Sequence, residues 1–276
     1  MRYFWKRQSL FQKDNHRSSF WWLIMMAIPI FVIGSLLLLA LHFDPSSKQP
    51  DQPNGSDDES KQKLIWGIDT ANQVTDNLYQ CVDKHYGQPA IIGRYLGDKD
   101  NVSTGLTQDE AQFIHQKGAR IIPIHNHFTD ATGRSNGIQE AQEALDYAQS
   151  LDIPKETYLF ADIEPSYPVN ADFLMGWTKT LIDAHYQAGV YGNFADDNLR
   201  DVYQTASKQS NTVKKNLAIW SNEPKTGVTS KKQAPHHFKA ETPNSSETFI
   251  WQYGLGAKQC NTDTNLIKNK LSSGLW

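Results

Sequence analysis

The stretch Leu159-Phe160-Ala161-Asp162-Ile163-Glu164-Pro165 closes an apolar run with two carboxylates, two residues apart. Side chains of a strand alternate between its faces, so Asp162 and Glu164 point one way while Ala161 and Ile163 point the other. Two acids in one small space cannot both ionise freely. One pKa is driven up, and the pair divides into a proton donor and a stabilising anion. Glycoside hydrolysis uses that division. A lone Asp-x-Glu is common, and a strand end with two solvated acids is the plainer alternative, so the neighbouring elements decide.

Those elements alternate. Leu64 to Asp69 reads as a strand, Thr75 to Tyr86 as a helix closed by Gly87, and Ala90 to Leu96 as the next strand. Thr107-Gln108-Asp109-Glu110 has the capping-box pattern and opens a helix ended by Gly118. Strand Ala119 to Ile124, helix Ile138 to Leu151 and the acid-bearing strand Thr157 to Glu164 follow. After a helix from Ala171 to Gln187 come Val190-Tyr191-Gly192-Asn193, Asn216 to Trp220 and Thr248 to Tyr253, each an apolar strand-like run. Strands separated by helices and short loops predict parallel pairing. At about 213 residues the pattern predicts a TIM-type (β/α) barrel of the α/β class rather than an open sheet.

Catalytic groups of such barrels stand at the C-terminal strand ends. Here those ends carry Asp69, Arg94, His125-Asn126-His127, Asp162 with Glu164, Tyr191 with Asn193, Trp220 with Asn222, and Trp251-Gln252-Tyr253. Polar residues at one strand end mean little, but a succession of seven predicts a site. Two histidines at a strand end without a paired carboxylate motif are weak grounds for zinc, so no metal is expected. No Gly-rich phosphate loop follows the first strand, and no cofactor is expected.

Gly67-Ile68-Asp69-Thr70, Gly93-Arg94-Tyr95-Leu96-Gly97, Leu106-Thr107 with Glu110-Ala111, and Gly118 leading to Ile122-Pro123-Ile124 resemble the glycoside-hydrolase-like domain once called domain of unknown function 1906. That family is similar to the family 25 glycoside hydrolases, lysozymes that cleave between N-acetylmuramic acid and N-acetylglucosamine. The wider likeness rests on Gly67-Ile68-Asp69, Asp162-Ile163-Glu164, Tyr191-Gly192, Trp251-Gln252-Tyr253 and Asp263-Thr264-Asn265. His125-Asn126-His127 departs from the lysozyme-like pattern, which more often has an aromatic residue there.

The resemblance implies an acidic groove for a cell-wall glycan such as peptidoglycan. In the resulting expectation, Glu164 is the general acid, and Asp162 stabilises the developing charge or a substrate acetamido group. Asp69 and Asp263 hold water or sugar hydroxyls. Arg94 grips an acid or an anionic substrate. His125, Tyr191, Asn193, Trp220, Trp251, Gln252 and Tyr253 complete the substrate surface, core packing being the alternative for the tryptophans. A barrel that binds glycan without cutting it, or only builds the envelope, is the rival function.

Phe20 to Leu41 carries no charge over 22 residues, enough to cross a hydrocarbon core as a helix. Residues 1–19 hold Arg2, Lys6, Arg7, Lys13 and Arg17 against Asp14, a local charge of plus four, which keeps this tail cytoplasmic. A signal anchor over residues 20–41 is therefore expected, with a single pass through the cell membrane. The remainder is outside, and Leu39-Ala40-Leu41-His42 makes a poor cleavage site. Residues 44–63 lack aliphatic and aromatic side chains and read as a flexible linker; residues 64–276 form the barrel domain. The net charge of −3 leaves minus seven outside the tail, so nucleic acid is not an expected partner. Cys81 and Cys260 are the two cysteines. An even number outside the cytoplasm invites a disulfide, the alternative being two small buried apolar residues.

Overall fold

A computed structural model of the chain describes residues 63–243 and 248–276. The expected tail at 1–19, the span at 20–41 and all but the last residue of the linker lie outside these residues. Among the described residues no helix is long and apolar enough to cross a membrane.

Eight strands close into a barrel in sequence order. They are β1 (Leu64–Thr70), β2 (Ile91–Tyr95), β3 (Arg120–His125), β4 (Tyr158–Asp162), β5 (Gln187–Gly192), β6 (Leu217–Asn222), β7 (Thr248–Gly254) and β8 (Asp263–Lys268). The α-helices are α1 (Asp76–His85), α2 (Gln108–Gln116), α3 (Arg134–Ser150), α4 (Ala171–Asp183), α5 (Asp197–Gln209) and α6 (Asn211–Asn216). From β1 to β7 every neighbouring pair is parallel.

The expected all-parallel barrel needs one correction: β8 runs antiparallel to both β7 and β1. No helix intervenes between Gly254 and Asp263, and so short a connection cannot carry the chain back for a parallel pairing. The helix expected to reach Gln187 stops at Asp183. His185 takes a positive φ of 63°, and Gln187 already pairs with Tyr158 as the start of β5.

Local chemistry sets the helix starts. Thr75 and Thr107 cap α1 and α2, their side chains accepting from the Leu78 and Glu110 amides. Glu110 leaves the capping box for a tertiary role: its Oε1 accepts from the Val74 amide at 2.8 Å and from Arg94 Nε at 2.5 Å.

The barrel is filled by Ile91, Ile122, Ile124, Phe160, Trp220, Ile250 and Ile267. The opposite strand faces meet the helices in a larger core. Gly93 makes the interior close: a Cβ there would stand 2.7 Å from Asp69 Cβ and 2.9 Å from Trp220 Cη2. Cys81 on α1 and Cys260 in the β7–β8 turn are joined as a disulfide, with their Cα atoms 5.8 Å apart.

Candidate active site

The mouth of the barrel at the C-terminal ends of β1 to β7 is acidic. Period-two alternation carries the interior stripe of each strand up to one polar residue. The stripe ends on Asp69 in β1, Tyr95 in β2, Asp162 in β4, Tyr191 in β5, Asn222 in β6 and Gln252 in β7. Asp263, opposite Asp69 in the antiparallel pairing, begins β8.

One hydrogen-bond network crosses five of these strands. Asn222 Nδ2 donates to Tyr191 Oη at 2.6 Å, and Tyr191 Oη donates to Gln252 Oε1 at 2.8 Å. Gln252 Nε2 donates to both oxygens of Asp69, at 2.9 and 3.1 Å, and to Asp263 Oδ2 at 3.3 Å. Asn265 Nδ2 donates to Asp69 at 2.6 Å, while its Oδ1 accepts from Trp220 Nε1 at 2.9 Å. The Gly256 amide donates to Asp263 at 2.6 Å.

Asp162 is buried, and one of its oxygens has no hydrogen-bond partner among the described residues. Burial first, and then the charge of Glu164, push its carboxyl well above the usual range; Lys99 and a hydrogen bond from Tyr95 pull the other way. Asp69 is raised to about 7, by burial and by Asp263, against the amides of Asn265 and Gln252. Asp263 is raised to about 6, chiefly by burial. The phenols of Tyr95 and Tyr191 are pushed up by burial and by the same acids, so both remain neutral hydroxyls. Such a cluster can hold a proton near neutral pH and give it up.

Glu164 lies beyond the end of β4, half-buried, beside a pocket shared with Tyr167, Asn193 and Asn198. Lys99 bridges this side of the mouth. Its Nζ donates to the Asn126 carbonyl at 2.5 Å, the Phe128 carbonyl at 3.0 Å and Tyr167 Oη at 3.2 Å.

Not every expected residue reaches the groove. Arg94, flanked by the inward Gly93 and Tyr95, turns outward and is fully buried against Glu110 and the carbonyls of Thr70 and Thr104. His125 also faces outward, against Glu140 of α3 and the Trp177 ring. Trp251 and Tyr253 belong to the outer core, where Tyr253 accepts from Trp66 and Trp251 donates to the Glu223 carbonyl. Trp220 does point inward but is covered, edge-on to Phe160 and Tyr191. Asn193 lines the pocket beside Glu164 and also shapes its own loop, accepting from the Ala195 and Asp196 amides. Asp69, Asp162, Glu164, Tyr191, Gln252 and Asp263 are brought together. Tyr95, Asn265 and Lys99 were not foreseen. Tyr95 lies on an interior stripe that period two could have marked, whereas Asn265 belongs to the hidden strand β8 and Lys99, in a loop, carries no signal of its own.

The chain matches the Rv2525c-like, glycoside hydrolase-like domain over residues 87–267. An uncharacterized B. stearothermophilus protein of known structure is 38% identical, with a TM-score of 0.75 over 77% of this chain and all of that one. The Mycobacterium tuberculosis Tat-secreted protein Rv2525c, solved with L-tartrate, is 15% identical with a TM-score of 0.53, over 78% of this chain and all of that one. The Clostridium perfringens spore cortex lytic enzyme SleM shares the fold at 11% identity and a TM-score of 0.51, over 76% of this chain and 69% of its own. No curated protein matches.

Proposed function

The chain belongs to the Rv2525c-like, glycoside hydrolase-like domain family, and from that premise we propose that it hydrolyses glycosidic bonds in a cell-wall polysaccharide such as peptidoglycan. The observation that carries this reading is the convergence of Asp69, Asp162, Glu164 and Asp263 at one barrel mouth, where the charge of Glu164 is felt by each of the other three.

Glu164, on the solvent side, protonates the leaving glycosidic oxygen. Asp162, deeper, is held above the usual range by burial and by the charge of Glu164, and in this mechanism the two carboxyls hold one proton between them. Positive charge developing on the sugar draws the negative charge onto Asp162 and leaves the proton for Glu164 to deliver. Asp162 serves equally to orient a 2-acetamido group that itself attacks the anomeric carbon, one of the exceptions to the two-carboxylate scheme. Tyr95, donating to Asp162, and Lys99, facing it, keep that anion attainable inside a buried site.

Purified full-length protein incubated with peptidoglycan sacculi should release fragments with new reducing ends. Binding without release by the wild type would sink the hydrolase and leave a glycan-binding barrel.

The reading includes a place. We infer a single-pass protein held by residues 20–41, its N-terminal tail cytoplasmic and its barrel outside the membrane. The uncharged run and its basic flank support this, as does the disulfide, a bond that persists in oxidising compartments. Protease added to intact cells should remove the barrel; a fully protected chain contradicts the topology.

A further inference from the structure

Behind the groove, on the outer face of β3, two imidazoles meet two carboxylates. His125 ends β3 and His127 follows it, while Glu140 and Glu143 stand three residues apart on α3 and so share one helical face. His125 Nε2 lies 2.8 Å from Glu140 Oε2, and His127 Nδ1 lies 2.6 Å from Glu143 Oε1. One ligand atom from each of His125, Glu140 and Glu143 falls within 4.8 Å of the other two. His125 is enclosed by the Trp177 and Phe128 rings, whereas the Glu143 side chain, 39% exposed, leaves an entrance.

His125 Nδ1 and His127 Nε2 are buried with no partner among the described residues. Glu140 and Glu143 have only these two rings as ion-pair partners among the described residues. A divalent cation where these ligand atoms converge balances both carboxylates.

We propose that His125 Nε2, Glu140 and Glu143 bind a divalent transition-metal ion of the zinc class, with water completing the shell. One imidazole and two carboxylates with a free position match the ligand types such ions take. His127 then orients the ligand Glu143 by hydrogen bonding, as outer partners of metal-bound carboxylates do. Tyr147 Oη, 3.3 Å from the same ring nitrogen, holds His127 in turn. The site braces the segment after β3, whose Asn126 and Phe128 carbonyls hold Lys99 at the mouth. Its ion is structural and takes no part in the groove.

Untagged full-length protein, stripped by a chelator, would be melted with Zn²⁺, Mn²⁺, Mg²⁺ or Ca²⁺. At about a hundredfold excess over Kd, Zn²⁺ should raise Tm by about 5 °C or more. Co²⁺ should give the visible absorption of a low-coordinate site. Glu143→Gln, on the more exposed ligand, should weaken binding at least about tenfold, as loss of a first-sphere anion would. Glu140→Gln with Glu143→Gln should abolish both the shift and the colour. No response of the wild type to Zn²⁺ or Co²⁺, or a response that survives the double substitution, overturns the site. An equal shift with Mg²⁺ or Ca²⁺ overturns the assignment to a transition ion.

Discussion

Asp69 receives amide donors from Gln252 and Asn265, yet its carboxyl stands at about 7, because burial and the facing Asp263 outweigh them. Its ordinary value is 3.8. Between those two values the folded chain holds a proton that the unfolded chain has released. Stability due to this group is therefore greatest below about pH 4 and declines as pH rises towards 7. Asp162 and Asp263 are shifted the same way and add to the decline. Tm should fall from pH 4 to pH 7, and Asp69→Asn should flatten the slope. A Tm that rises through that window, or an unaltered slope in the variant, refutes the assignment of these shifts.

The same residues separate what the sequence could disclose from what it hid. Asp162 and Glu164 were readable because a period of two needs only a strand and its end. Trp251, Gln252 and Tyr253 are consecutive, so they cannot all face one way, and only Gln252 enters the groove. Arg94 between Gly93 and Tyr95 obeys the same parity; its charge is satisfied by Glu110, sixteen residues on, a partner no local pattern announces.

At the scale of elements, strands β1 to β7 follow from apolar runs bounded by helices, and the sequence marks them closely. β8 was hidden because Asp263-Thr264-Asn265-Leu266 opens with polar residues that belong to the mouth, not to a uniformly apolar strand. Its approach is tied down by Cys260, joined to Cys81 of α1 across 179 residues, three positions before Asp263. Closing so long a loop in the unfolded chain is worth about 2–4 kcal/mol. Reduction, or Cys81→Ser with Cys260→Ser, should thus lower Tm by about 4–15 °C. An unchanged Tm would show that the turn before β8 is held without the bond.

For the molecule as a whole, barrel closure turns seven separate strand ends into one acidic mouth. Tertiary structure alone brings Asp69 and Asp263 together across 194 positions of sequence. The family supplies the glycoside hydrolase-like identity; the proposed chemistry rests on these acids. Hydrolysis of sacculi by wild type and Glu164→Gln, compared at matched binding, puts that chemistry to the sharpest trial. Removing the general acid should slow release of reducing ends by about 10²–10⁴-fold while leaving sacculus affinity within about twofold. Equal rates in the two proteins would contradict it.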